Sequence, residues 1–113
     1  MHYIRLVKYK VFRTDEFEKL MNKMLTKVQQ QGVDHIEEEI SDVGFTGKPL
    51  GYKFFREKRV GEGKRIYFLI YENLNATLMV SVSDKKTQQE TINKIKEYLP
   101  EFKSLAEELV KST

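Results

Sequence analysis

The chain has 113 residues, of which 40% are hydrophobic and 12% aromatic, which suits a single folded domain over residues 1–113 and excludes a disordered one. The absence of cysteine excludes a disulfide scaffold, a thiolate zinc site and a cysteine nucleophile, and two histidines (His2 and His35) leave little for a histidine metal site or a serine–histidine triad. The net charge of +3 is unevenly spread: residues 1–50 carry eight basic and eight acidic residues, whereas Tyr52–Arg65 sets Lys53, Arg56, Lys58, Arg59, Lys64 and Arg65 against only Glu57 and Glu62. Basic density of this kind, interleaved with aromatics, is either an electrostatic footprint for phosphates or a solvated hairpin.

The opening segment alternates, with Tyr3, Arg5, Val7, Tyr9 and Val11 on one side, which predicts a strand. It is not the continuous apolar run of a signal peptide, and no stretch approaches about 18 apolar residues, so no membrane partner and a cytoplasmic location are expected. Thr14 or Asp15 then offers an N-cap, with Asp15 and Glu18 spaced as a capping box. Phe17, Leu20, Met21, Met24, Leu25 and Val28 form one apolar helix stripe, and Gly32 stands where a helix C′ glycine is wanted. Val33, Ile36, Ile40 and Val43 predict a second helix, forming an antiparallel hairpin with the first. Its Glu37, Glu38 and Glu39 point about 100° apart in turn, so they cannot converge, and a solvated face is expected.

Glycine and proline mark Gly44–Gly51 as a loop. Three strands are then predicted: Tyr52–Val60, Lys64–Tyr71 after a Gly61-Glu62-Gly63 turn, and Thr77–Ser83 after Glu72–Asn75, together an antiparallel meander. Alternation puts Ile66, Phe68 and Ile70 on one face with Leu78, Val80 and Val82, under the helices. The other face, with Arg65, Tyr67, Leu69, Tyr71, Met79, Ser81 and Ser83, is mixed enough to bind something. Arg65 there is either a structural partner of Glu57 or Glu62, or a functional cation.

Lys85 and Lys86 directly precede a Thr87-x-x-Glu90 capping box, which places two cations at a helix N-terminus suited to anions. That helix carries Ile92, Ile95, Tyr98 and Leu99 and breaks at Pro100. Phe102, Leu105, Ala106, Leu109 and Val110 make a further stripe in a helical extension over about 100–113, expected to fold back on the domain. The fold class is α+β: an N-terminal strand, a helical hairpin, a three-stranded antiparallel meander and a C-terminal helix, β-α-α-β-β-β-α.

This order, with Gly47-Lys48-Pro49-Leu50-Gly51 before the second strand, Phe55-Arg56, Gly63-Lys64-Arg65-Ile66-Tyr67-Phe68 and the Asp84-Lys85-Lys86-Thr87-Gln88 turn, resembles the RelE/ParE toxin superfamily of toxin–antitoxin systems, including HigB-like members. The resemblance implies a cytoplasmic toxin that inhibits translation by cutting mRNA on the ribosome without metal or cofactor. In that chemistry the RNA 2′-hydroxyl attacks the adjacent phosphate and fixed cations meet the developing charge. By similarity, Arg65, Lys53, Arg56 and Lys86 take catalytic roles, with Lys58, Arg59, Lys64 and Lys85 holding RNA; Lys58 and Arg59 are alternatives for the places of Lys53 and Arg56. The partners implied are mRNA and a cognate antitoxin protein that wraps the basic surface. The family's tyrosine or histidine after the last strand has no counterpart in Thr87–Ile92, which leaves the general base unassigned among Tyr67, Tyr71, Tyr98 or a lysine. Two other functions fit the same fold: a ParE-like inhibitor of DNA gyrase, and a non-catalytic module that binds nucleic acid or a partner.

Overall fold

The first strand, β1 (Lys10–Arg13), passes directly into α1 (Asp15–Met24) because the Thr14 hydroxyl accepts from the Phe17 N–H at 3.0 Å and caps the helix. This computed structural model describes residues 9–113, so the Tyr3–Lys8 part of the expected strand lies outside the described residues. The cap is Thr14 alone, and the expected Asp15–Glu18 box is replaced by a helix whose first residue is Asp15.

The helical region divides earlier than its apolar spacing predicts. Leu25 is extended, and α2 (Lys27–Val43) starts at Thr26 with a reciprocal capping box: Gln29 N–H donates to Thr26 Oγ1 (3.1 Å), and Thr26 N–H donates to Gln29 Oε1 (2.9 Å). Gly32 therefore lies inside α2 instead of ending α1, and Val28, expected in the core, is 75% exposed. The box satisfies donors at a helix start, a local demand that apolar periodicity does not register. The two helices share one core, α1 lying chiefly along the last strand and α2 reaching the first strand and the strand at residues 55–61.

Inside the expected loop, Lys48–Pro49 forms a two-residue strand, β2, paired with Arg56 and Glu57 of β3 (Phe55–Gly61). The expected strand from Tyr52 thus begins at Phe55, because Leu50 N–H donates to Phe55 O (2.9 Å) and closes a turn over the intervening residues. β4 (Lys64–Tyr71) occupies its expected span, and a 3-10 turn at Glu72–Leu74 leads to β5 (Ala76–Asp84). The sheet order is β1-β5-β4-β3-β2, with β1 parallel to β5 and every other pair antiparallel, giving an α+β protein with a mixed sheet. Two further helices follow, α3 (Gln88–Glu97) and α4 (Leu99–Lys111), divided at Tyr98 with Pro100 in the first turn of α4. As expected, α4 packs back, setting Phe102, Leu105 and Leu109 against the sheet.

Helices cover both faces. Ile66, Phe68 and Ile70 of β4 pack with Phe17, Val33 and Ile40 under α1 and α2. Tyr67, Leu69 and Tyr71 pack with Ile92, Ile95 and Ala106 under α3 and α4, so the face expected to be open is a second core.

One extra residue in β5 changes the predicted facing of its side chains. The β4–β5 register pairs Phe68 with Met79 but Tyr67 with Ser81, leaving Val80 as a bulge. Val82 joins Ile66, Phe68 and Ile70 in the α1/α2 core as expected, but Met79 joins it there and Leu78 and Val80 go to the α3/α4 core, correcting their expected facing.

The glutamate run on α2 diverges as expected but is not simply solvated. Glu37 accepts two bonds from Arg13 (2.7 and 2.8 Å), and Glu39 pairs with Lys58, whose ammonium holds its carboxyl below the usual range. Among the described residues, no helix is long and apolar enough to cross a membrane.

Candidate functional site

The polar cluster at the β3–β4 turn end of the sheet is made by strand register. β3 and β4 pair Glu57 with Tyr67 and Arg59 with Arg65, and β5 places Ser83 opposite Arg65. All of these positions face α3, since residues paired across a sheet share a face. Ser83 is there because of the bulge: an unbroken ladder from Leu69↔Leu78 would set Val82 against Arg65.

Arg65 is 5% exposed and Glu57 7%. The Arg65 Nε lies 3.9 Å from Glu57 Oε1 and has no hydrogen-bond partner among the described residues, while its Nη1 makes only a long bond to Gly63 O (3.4 Å). Of the two structural partners weighed for Arg65, the structure supplies Glu57. The other carboxylate oxygen of Glu57 accepts from Gln88 Nε2 at 2.8 Å, tying the first turn of α3 to β3. The Tyr67 hydroxyl lies 2.8 Å from Ser83 Oγ. Burial, reinforced by neighbouring Glu57, pushes the Tyr67 phenol above its ordinary value, which makes it a poor base.

The β5–α3 turn lies beside this cluster. Asp84 Oδ1 accepts from both the N–H and the hydroxyl of Thr87 (2.9 Å each), so the aspartate organises the turn, and Thr87 makes no side-chain capping bond of its own. The expected Thr87–Glu90 box is thus replaced by an Asp84–Thr87 turn. These bonds, with Lys64 nearby, hold the Asp84 carboxyl below its usual range. Lys64 pairs across the ladder with Asp84, which brings Lys85 and Lys86, both exposed, to the end of the β3–β4 hairpin. Arg59, Lys85 and Lys86, all exposed, thus lie at the same end of the sheet as the buried Arg65–Glu57 pair, whereas alternation along β4 turns Lys64 to the opposite face from Arg65.

The remaining basic residues are placed elsewhere. Lys58 points to the opposite face, where it bonds Glu39 and Thr46 Oγ1 (2.8 Å to Thr46). Arg56 donates to Lys53 O (2.8 Å) and Gly47 O (3.0 Å) with its guanidinium 5.3 Å from the Phe45 ring centre, so it secures the β2–β3 connection. Lys53 sits over the same ring at 4.6 Å. Burial pushes the Tyr71 phenol up as well, and Tyr71 stands at the far end of β4. Sequence reasoning placed Ser83 on the Arg65 face, treated Glu57 only as a partner for Arg65 and passed over Gln88. Matching alternate residues of β3 and β4 could have placed Glu57 on that face, but no local signal joined Gln88 of α3 to it.

Among the described residues, no group of three or more His, Cys, Asp or Glu side chains is arranged to hold a metal ion. Compared with models of known protein families and with curated proteins, the chain matches none.

Proposed function

We propose that this chain is a RelE-like toxin of a toxin–antitoxin system, an endoribonuclease that cuts mRNA on the ribosome by attack of the RNA's own 2′-hydroxyl. The observation that carries the reading is the buried Arg65–Glu57 pair at the end of the sheet where Arg59, Lys85 and Lys86 are exposed, with Lys64 beside them on the other face of β4. In this reading Glu57 supplies the base that the sequence left unassigned. Its carboxylate takes the 2′-hydroxyl proton, the 2′-oxygen bonds to phosphorus, and the 5′-oxygen departs and takes a proton from water, leaving a 2′,3′-cyclic phosphate. Arg65, already beside the carboxylate, meets the extra negative charge on phosphorus, and the exposed lysines hold the flanking phosphates. The Gln88–Glu57 bond makes the start of α3 the cover of the site, and RNA entry requires it to release. The antitoxin of this reading is a small protein whose acidic or helical segment neutralises the same end of the sheet.

Expression of the wild type, Arg65→Ala and Glu57→Gln, with message ends mapped, tests the reading. Translation arrest with cut messages in the wild type alone supports it. Intact messages and unimpaired translation in the wild type overturn it, and inhibition of supercoiling by the purified wild type moves the assignment to a gyrase inhibitor. The exposure of the lysines against the burial of Arg65 favours one second reading, a module that binds nucleic acid without cutting it, which the same end-mapping separates.

A further inference from the structure

At the opposite end of β4 from Arg65 lies a cleft of about 600 Å³ that no role proposed above uses. Its walls are mainly apolar, formed by Phe45, Phe54, Ile70, Tyr71, Leu99 and Pro100. The aromatic side chains form a ladder: Tyr52 and Phe54 have ring centres 5.1 Å apart, and Phe54 stacks on Tyr71 at 6.5 Å with 26° between planes. Four polar side chains break the apolar lining: the ammoniums of Lys53 and Lys103, the carboxylate of Glu72 and the amide of Asn73. Tyr71 is 9% exposed, and its hydroxyl has no hydrogen-bond partner among the described residues. An unpaired buried hydroxyl is costly, and a ligand that brings a donor or acceptor to it removes that cost.

A flat aromatic body with hydrogen-bonding edges and flanking negative charge matches this lining. Stacking faces with cations at their rim are how proteins hold single-stranded nucleic acid with little dependence on sequence. Lys53 already lies over the Phe45 ring and 3.8 Å from Glu72, so its ammonium is stationed at the mouth. Tyr71 and Arg65 are separated by six positions on β4, about 20 Å at roughly 3.3 Å per residue, a span that a few nucleotides of extended strand cover. The exposed Lys48 of the edge strand β2 lies opposite Glu57, between the two ends.

We propose that this cleft is a nucleobase pocket, in which one base of a single-stranded RNA stacks on the Phe54–Tyr71 wall while Lys53 and Lys103 hold its flanking phosphates. The proposal deepens the ribonuclease reading and rests on it only for RNA as the source of the base; a free nucleotide offers the same chemistry.

The test uses the full chain and a 2′-O-methyl RNA octamer, which lacks the attacking hydroxyl, carrying one 2-aminopurine. Titration with wild-type protein is expected to give saturable quenching as the fluorescent base stacks. Phe54→Ala should abolish the quench, and Lys103→Glu, an exposed change that spares the core, should weaken binding about tenfold. Quenching relieved by adenosine monophosphate places a free nucleotide in the same pocket, and quenching resistant to it restricts the pocket to a base within a strand; both support the site. Absence of binding, binding without quenching, or equal quenching by wild type and Lys103→Glu overturns it. Cleavage of the unmodified octamer is followed in parallel. Quenching without cleavage removes the nuclease reading and keeps the pocket, whereas cleavage without quenching does the reverse.

Discussion

Arg65 Nε and Glu57 Oε1 face each other at 3.9 Å with only 6% and 8% of their side chains exposed. A buried charge left without its partner is far more costly than the pair itself, about 3–5 kcal/mol when one member is removed. Arg65→Ala is therefore expected to destabilise the protein by about that much, and Arg65→Ala with Glu57→Gln by less than the sum of the two single changes. Urea unfolding of the four proteins in this cycle measures the coupling. Additive costs would mean that the two charges do not depend on each other.

The Tyr67–Ser83 bond makes a second cycle. Ser83→Ala strips the partner from a fully buried phenol and is expected to cost about 1–3 kcal/mol. Tyr67→Phe combined with Ser83→Ala removes both polar atoms and should recover part of that loss. If the double variant is as unstable as the two single costs added together, the hydroxyls do not satisfy one another.

These two pairs show how far sequence reasoning reaches into the site. Strand alternation located β4 to the residue, and Arg65 with it, because KRIYFLIY is a strong continuous signal. The antiparallel order of β3, β4 and β5 followed from the meander, while the pairing of Lys64 with Asp84, which joins Lys85 and Lys86 to the hairpin, needed the structure. What escaped were features set by single residues acting locally. The Thr26–Gln29 box moved a helix break that the apolar stripe had carried on to Gly32, and the extra residue at Val80 put Leu78, Met79 and Val80 on the faces opposite those expected while Val82 and Ser83 kept theirs. Arg56 and Lys58 look equivalent to Arg59 in composition. They serve a loop carbonyl and a helix glutamate because alternation sends even positions of β3 to the α2 side.

Stability should fall on the alkaline side. Burial raises the phenols of Tyr9, Tyr67 and Tyr71 above their ordinary value near about 10. Below that pH the folded and unfolded chains both keep these protons. Above it the unfolded chain releases them while the folded chain retains them, so unfolding is favoured increasingly as pH rises. Tyrosinate absorbance should show Tyr9, Tyr67 and Tyr71 ionising only as far-UV circular dichroism is lost. Their ionisation while the protein remains folded would refute the burial argument.

Gly47 should tolerate no side chain. Its φ is +80°, and a Cβ there would stand 2.6 Å from the backbone oxygen of Glu57. The left-handed conformation alone costs about 1–2 kcal/mol in a residue with a Cβ, and the clash is with backbone that cannot turn aside. Gly47→Ala is expected to lose at least that much stability and to disturb the β2–β3 pairing, since Arg56 Nη1 bonds the Gly47 carbonyl at 3.0 Å. An unchanged melting temperature would show that the loop can reach β3 in another conformation.

Lys85 and Lys86 offer the cleanest separation of binding from folding. Both are exposed, and neither makes an ion pair among those seen in the described residues, so Lys85→Ala with Lys86→Ala should leave the melting temperature nearly unchanged. If they hold two phosphates of a single strand, their removal weakens RNA binding similarly for every sequence. It also reduces the slope of log affinity against log salt by about 1.4, close to 0.7 for each phosphate released. Arg65→Ala should alter that slope less, because its guanidinium is buried against Glu57 until the site opens. A salt slope unchanged by loss of both lysines would move the RNA off this corner of the molecule.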